Sequence, residues 1–213
     1  MSSVGLLYVG AVLFINGLML IGVIPGKSAA ILNFFVGGMQ VIFPTVIILQ
    51  TPDDPAVVFG AAGLYLFGFT YLYVGILQLT GIDGDGLGWF SLFVAVCAVV
   101  VAIAQFVIVG DPVFGVIWLV WAVLWFLFFL VLGLHVDTLT VATGWFTIVI
   151  SHLTGTIPAF FLLLGFYRPD MFWAIVIAVV AVVAFFVSLA LGQRAVRKPE
   201  QPSQTKGESV AAV

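Results

Sequence analysis

The chain has 213 residues, of which 64% are hydrophobic and only 7% are charged, whereas roughly a quarter of the residues in a soluble domain are charged. The mean hydropathy of +1.34 and the pI near 5.0 exclude a soluble globular domain and a basic nucleic-acid-binding protein. The composition is typical of a protein that crosses a membrane several times.

Seven apolar runs are long enough to cross a bilayer, which takes about 20 residues each. Their hydrophobicity is continuous rather than alternating, which favours helices over the strands of a barrel. The sequence therefore predicts an all-α polytopic membrane protein. The predicted spans are residues 4–24, 29–49, 56–79, 87–109, 112–134, 139–166 and 171–191.

The first span and the tail give two further expectations. The first span has no basic segment before it and no small-residue cleavage site after it, so we do not expect a removable signal peptide. The single cysteine, Cys97, lies within the fourth span and forms no disulfide framework. Residues 193–213 are polar and rich in Pro, Ser and Gln, and predict a disordered tail.

The basic residues predict the orientation. Five of the six basic residues follow the first or the seventh span, and so lie on the same side of the membrane: Lys27, Arg194, Arg197, Lys198 and Lys206. Arg168 follows the sixth span and lies on the other side. Basic residues favour the cytoplasmic side. We therefore expect the amino terminus outside and the carboxyl-terminal tail in the cytoplasm.

A weak repeat relates the first six spans. The stretches NFFVGG, WFSLFV and WFTIVI begin at Asn33, Trp89 and Trp145, at a constant interval of 56 residues. That interval equals one two-helix hairpin. Spans one to six therefore predict three hairpins in the same orientation, and parallel repeats of this kind place a path at their common axis in some transporters. The seventh span has no partner in the repeat.

The charged residues all fall outside the predicted spans, near their ends or in the tail. Ion-coupled transporters commonly place ionisable groups within the membrane. Within the spans, the residue that titrates at ordinary pH is His152. We expect it to be buried, and it is the candidate pH-sensitive residue. The pattern favours a path for a neutral solute.

Three stripes of residues at helical spacing are candidates for the walls of that path. Trp118, Trp121 and Trp125, with Phe114 one turn earlier, form an aromatic stripe whose indole NH groups require partners if buried. A second stripe on the first span comprises Leu6, Val9, Leu13 and Asn16, and a third on the third span comprises Phe67 and Tyr71. An asparagine in a span equally fits a helix–helix hydrogen bond, so Asn16 has two interpretations.

Six motifs occur in a characteristic order: LLYVGAVLFINGL from residue 6, NFFVGG, LFGFTYLYVG from residue 66, LGWFSLFVA from residue 87, WLVWAVLWF from residue 118 and IPA from residue 157. Together they resemble the AmiS/UreI family of urea and short-chain amide channels, with the amide branch the closer. The resemblance implies a core of six helices in residues 1–166, arranged as a homohexamer with one pore per protomer. It also implies passive conduction of urea or small amides across the inner membrane to a cytoplasmic urease or amidase, without a cofactor.

Carried over by motif, the pore residues are Leu6, Leu13, Asn16, Phe67, Tyr71, Trp118, Trp121, Leu124 and Trp125. The resemblance predicts that the indoles form a slot for a planar amide, whose water is partly replaced by ring NH and hydroxyl groups.

Three features depart from the acid-gated members of that family. The loops TPDDP, GDP and YRPD contain no histidine, which argues against gating by external acid. The position of a glutamate on the last core helix is occupied by Ile150, which favours amides over urea. Residues 167–192 form an additional span beyond the core.

Three alternatives stay open. A proton-gated urea channel would use His152. An intramembrane enzyme has little support, because Ser151 and His152 point apart on a helix, while His135 and Cys97 lie away from them. A structural or lipid-organising protein would conduct no solute.

Overall fold

The structure is a computed structural model that describes residues 2–197. Within this part of the chain every element is helical, and all seven predicted spans are confirmed as helices. The first five spans are uninterrupted, and the fourth and fifth end in short π-helical segments. The bounds are α1 Ser2–Leu20, α2 Gly26–Gln50, α3 Pro55–Thr80, α4 Asp85–Ala104 with π-helical Gln105–Val109, and α5 Pro112–Phe128 with π-helical Phe129–Gly133.

The sixth span is interrupted. A short 3₁₀ turn, Asp137–Leu139, leads into α6, Thr140–Ile150, which is followed by a π-helical segment, Ser151–Thr156, and by α7, Ile157–Leu163. Wide turns of this type often occur at functional sites. The seventh span is α8, Met171–Arg197.

The first six spans form a closed ring of three hairpins. The most extensive contacts join neighbouring hairpins: α2 packs on α3, α4 packs on α5, and the sixth span packs on α1 to close the ring. Glycines permit the close approach. A Cβ added at Gly155 would lie 2.8 Å from Cα of Gly10 on α1, and one added at Gly88 on α4 would collide with the backbone of Gly133. Small residues of this kind let helices pack tightly in membranes, where hydrophobicity does not drive them together.

Acidic residues at one end of the bundle cap the helices that begin there. Oδ1 of Asp54 accepts hydrogen bonds from the amides of Ala56 and Val57, at 3.0 and 3.2 Å. Oδ1 of Asp111 accepts from the amide of Phe114 at 2.9 Å. In both cases proline follows at the first helical position, which needs no amide donor. We call this end, where α1, α3, α5 and α8 begin, the amino-terminal face, and the other end the opposite face.

Helix α8 packs on the outside of the ring, against α5 and α6. The sequence indicated a helix apolar on every side, but one face is buried and consists mainly of small residues: Ala174, Ile177, Ala181, Ala184, Ser188 and Gly192. Helix α8 continues to Arg197, six residues beyond the predicted end of the span at residue 191. Residues 193–197, predicted as disordered tail, are therefore helical. The remainder of the predicted tail lies outside the described residues.

The expected burial of His152 is also wrong. The side chain is exposed on the outer surface of the protomer, within the π-helical segment. Its Nδ1 lies 3.3 Å from Oγ1 of Thr156, and its ring lies 5.2 Å from that of Phe14. The wider π-helical turn and the close packing of α1 direct this residue away from the axis of the ring.

Candidate solute pathway

Two cavities lie within the ring. The upper cavity, near the amino-terminal face, has a volume of about 220 Å³. All six spans of the ring contribute to its wall. Its lining includes Leu6, Gln40, Phe67, Gln105, Phe114, Trp118 and Trp121. The volume is several times the minimum that a single water molecule requires, so a small solute has room there.

The lower cavity, near the opposite face, is smaller, with a volume of about 80 Å³. Its wall is apolar except for a few hydroxyl and amide groups. Its lining includes Leu13, Asn16, Thr70, Tyr71, Gln78, Ser91 and Trp125.

An aromatic constriction separates the two cavities. Phe67, 1% exposed, contacts all three indoles of α5. Its ring centroid lies 5.3 Å from that of Trp118, 4.8 Å from that of Trp121 and 4.9 Å from that of Trp125. Trp118 is nearly parallel to it, at 26°, whereas Trp121 meets it edge-on, at 76°. Such offset and edge-to-face contacts stabilise aromatic clusters, so Phe67 is the centre of the constriction.

The structure brings together the residues predicted from the motifs. Four of them line the upper cavity, Leu6, Phe67, Trp118 and Trp121. Four line the lower cavity, Leu13, Asn16, Tyr71 and Trp125. Leu124 lines neither cavity and is fully buried, so its contact with a solute remains a prediction.

Two of the three indole NH groups donate to threonines. Nε1 of Trp121 lies 2.9 Å from Oγ1 of Thr154, and Nε1 of Trp125 lies 3.3 Å from Oγ1 of Thr70. The prediction from sequence assigned these NH groups to the solute, and the structure instead commits them to neighbouring helices. Each tryptophan is therefore oriented by a helix other than its own.

Sequence reasoning did not identify these threonines. They stand 33 and 55 residues from their tryptophans, so spacing gives no indication of the pairing. The available signal was the presence of a hydroxyl within an otherwise apolar span, since such groups commonly form helix–helix hydrogen bonds.

Asn16 forms a helix–helix hydrogen bond and also lies in a cavity wall. Its amide forms two reciprocal hydrogen bonds with Asn33 of α2, of 3.0 and 2.7 Å, and Asn33 also donates to the carbonyl oxygen of Ala29 at 2.9 Å. At the same time Asn16 forms part of the wall of the lower cavity. The asparagine pair fixes α1 against α2, so this polar section of the wall is rigid.

Two buried polar groups in the cavity walls have no hydrogen-bond partner among the described residues. They are the hydroxyl of Tyr71, in the lower cavity, and Oε1 of Gln40, in the upper cavity. An unpaired buried group costs about 1–3 kcal/mol. Both side chains line a cavity, which offers space for a polar partner.

A tyrosine connects the loop before α8 to the start of α5. The hydroxyl of Tyr167 donates to the carboxylate of Asp111, with its oxygen 2.8 and 2.7 Å from Oδ1 and Oδ2. Its ring lies 5.7 Å from that of Phe114, which lines the upper cavity. Burial, with the hydrogen bond and negative charge of Asp111, raises the pKa of the Tyr167 hydroxyl. The neutral hydroxyl is therefore stabilised as a donor.

Neither cavity is lined by a charged side chain or a histidine from the described residues. His135 lies at the opposite face, where its Nε2 is 2.9 Å from Oδ1 of Asp85.

Residues 2–197 contain no cluster of His, Cys, Asp or Glu with the geometry of a metal site. The path is therefore chemically suited to neutral molecules.

Known proteins are similar to this chain in sequence and in structure. The AmiS/UreI family transporter profile matches residues 1–166. A Rhodococcus erythropolis protein named as the transporter AmiS2 is 59% identical over 165 residues, which are 78% of this chain and 80% of that protein. A Mycolicibacterium smegmatis protein named as a transporter of amidate substrates is 52% identical over 194 residues, 91% of both chains.

The acid-activated urea channel of Helicobacter pylori is 34% identical over 191 residues, 76% of this chain and 97% of that protein. Its cryo-EM structure in a closed state superposes with a TM-score of 0.72 and covers 79% of this chain and 100% of that chain. The protein is thus a multi-pass membrane transport protein rather than an enzyme, and it belongs to the AmiS/UreI family.

Proposed function

We propose that the chain is a passive channel for short-chain amides and urea. One observation carries the proposal: two uncharged cavities lie on opposite sides of an aromatic constriction formed by Phe67, Trp121 and Trp125. A pathway without charged groups gives no reason for ion coupling and no dependence on membrane potential.

The pathway residues suit a small planar solute. Flat aromatic faces in the constriction accept a flat molecule, while the unpaired groups of Gln40 and Tyr71 on either side offer hydrogen bonds. Stripping an amide of all its hydrogen bonds costs several kcal/mol (about 2–7). Partial replacement on both sides of the constriction lowers that barrier without creating a strong binding site. Ile150, buried and apolar, adds no carboxylate to the path, which favours amides.

The basic residues and the relatives support an arrangement in the cell. Among the described residues, Lys27, Arg194 and Arg197 lie toward the opposite face and Arg168 toward the amino-terminal face, which supports an external amino terminus and a cytoplasmic carboxyl terminus. Solute would then enter through the upper cavity and leave toward a cytoplasmic amidase or urease. A homohexamer in the inner membrane with one pore per protomer is the assembly that the family resemblance supports.

A proton-gated urea channel is the second candidate, because a relative is named as an acid-activated urea channel. Gating by external acid needs a titratable group that acts on the path from outside. The loops at the amino-terminal face contain no histidine, and His152 lies on the outer surface of the protomer. These positions favour an ungated channel.

Stopped-flow light scattering of proteoliposomes tests the proposal. We expect acetamide and urea to equilibrate faster than in protein-free liposomes, at a rate that does not change with an imposed potential. Flux equal to that of protein-free liposomes for both solutes contradicts the proposal and leaves a structural role. A flux that depends on an ion gradient indicates a coupled transporter instead.

A further inference from the structure

A glutamine is buried in the wall of the upper cavity without a partner. Gln40 of α2 is 1% exposed and lines this cavity. In the described part of the chain, its Oε1 meets no hydrogen-bond donor. A buried carboxamide without partners costs free energy that an apolar side chain of the same size does not. The polar group is therefore not explained by packing, and the cavity that Gln40 lines offers space for a partner.

A glycine on the neighbouring helix leaves room for this carboxamide. A Cβ added at Gly5 of α1 would lie 2.9 Å from Oε1 of Gln40 and 3.6 Å from its amide carbon. On α3, a Cβ added at Gly68 would lie 3.1 Å from the main-chain carbonyl oxygen of the same glutamine. Gln40 thus lies between α1 and α3 at positions where both helices lack a side chain. Gly5 leaves the space that the carboxamide occupies, and Gly68 lets α3 approach the main chain of Gln40.

The chemistry of the carboxamide matches that of a primary amide. A glutamine side chain accepts at Oε1 and donates at Nε2 in one plane. Acetamide and urea present a carbonyl oxygen and an NH₂ group in one plane, so two parallel hydrogen bonds can form at once. The hydroxyls of a diol of similar size also donate and accept, but they are not held in one plane, so pairing with both groups at once costs conformational entropy.

We propose that Gln40 is a selectivity residue of the upper cavity that pairs with the planar amide group of the solute. The inference rests on the proposed channel function. It adds a selection between solutes before they reach the aromatic constriction. A site that forms hydrogen bonds with one solute discriminates against an analogue that leaves its buried groups unpaired. Primary amides and urea are the solutes that this site favours.

The test compares acetamide with ethylene glycol in proteoliposomes, by stopped-flow light scattering. The variants are Gln40→Leu, which removes the carboxamide, and Gly5→Ala, whose added methyl displaces it without removing it. Gln50→Leu is the matched control, since it makes the same change at the exposed end of the same helix. The double variant Gly5→Ala with Gln40→Leu shows whether the two changes act through the same group.

We expect the permeability ratio of acetamide to ethylene glycol to fall about two- to tenfold in Gln40→Leu, the range of one ordinary hydrogen bond. Gly5→Ala lowers the ratio in the same direction, the double variant falls no further than Gln40→Leu alone, and Gln50→Leu keeps the original ratio. If Gln40→Leu does not assemble, Gly5→Ala decides the matter, because only the flexible end of a side chain has to move.

An unchanged ratio in both assembled single variants overturns the inference. An equal fall in Gln50→Leu overturns it as well. Failure of the channel proposal has a different signature, which is absence of acetamide flux above protein-free liposomes in the unsubstituted protein.

Discussion

Nε1 of Trp121 lies 2.9 Å from Oγ1 of Thr154, and the same hydroxyl lies 2.7 Å from the carbonyl oxygen of Ile150. Because the hydroxyl has a single proton, which it donates to the carbonyl, it accepts the hydrogen bond from the indole. Thr70 repeats this arrangement, with its hydroxyl 2.7 Å from the carbonyl oxygen of Leu66. The orientation of the constriction is therefore determined by the third and sixth spans as well as by α5.

Replacing Thr154 with valine tests this relationship. Thr154→Val keeps the shape of the side chain but leaves the buried indole NH of Trp121 without an acceptor, which costs about 1–3 kcal/mol. We expect a lower melting temperature in detergent and a changed acetamide permeability, since the indole is free to adopt another rotamer. Thr147→Val is the control: Thr147 is also buried in the sixth span but donates only to the carbonyl oxygen of Thr143. Equal behaviour of the two variants would contradict a special role for the Trp121–Thr154 bond.

The indoles of the constriction should control flux directly. Trp121→Ala and Trp125→Ala each remove a ring that contacts Phe67. We expect each substitution to alter urea and acetamide permeability by about tenfold, the effect of about 1.4 kcal/mol on a barrier, while the protein still assembles. Normal flux of both solutes in both assembled variants would show that the path runs elsewhere.

Flux should depend little on pH. His152 faces away from both cavities, and histidine is the side chain whose ordinary titration falls in the physiological range. We therefore expect acetamide and urea permeability to change less than about twofold between about pH 5 and 7.5. His152→Phe should behave like the unsubstituted protein at both pH values. Strong activation by acid that disappears in His152→Phe would make this residue a sensor.

The Tyr167–Asp111 contact should stabilise the amino-terminal face. Tyr167→Phe removes a hydrogen bond to a carboxylate, of the type that contributes about 1.5–3 kcal/mol, less here because the site is only half-buried. We expect a lower melting temperature in detergent. Since the pKa of Tyr167 is raised by burial and by Asp111, its contribution is fully present below the ordinary tyrosine value of about 10. The contribution is lost as pH rises further.

Melting curves at increasing pH check this sign. The difference in stability between the unsubstituted protein and Tyr167→Phe should be constant at neutral pH and narrow only above about pH 10. If the two proteins instead differ in stability at high pH but not at neutral pH, the hydroxyl is not the group responsible.

Removal of α8 should leave selectivity intact. No residue of α8 lines the upper or the lower cavity, and the helix packs on the outside of α5 and α6. A protein that ends at Asp170 retains the contact between Tyr167 and Asp111. We expect this truncation to keep the ratio of urea to acetamide permeability, while size-exclusion chromatography in detergent reports any loss of assembly. A reversed selectivity order in an assembled truncation would place α8 in control of the pore.

The sequence by itself determined the number and class of the spans. Apolar runs of this length have few alternatives in a bilayer, because every backbone group must be paired within a helix. The beginnings of α3 and α5 lie within one residue of the predicted positions 56 and 112, because the caps at Asp54 and Asp111 are local. The motif residues of α1, α3 and α5 other than Leu124 line the two cavities, since a fixed helical period places each stripe on one face.

Only the tertiary structure decided which side chains face one another. Thr154, Thr70 and Asn33 meet their partners across helices. Gln40 packs against Gly5 in the wall of the upper cavity, and His152 turns outward. The small-residue face of α8 was likewise not predicted to be its buried side. In a soluble helix, polarity marks the face that meets water, but lipid and the protein interior are both apolar. The pattern of a membrane helix therefore indicates that it spans, and close packing at small residues decides how it is rotated.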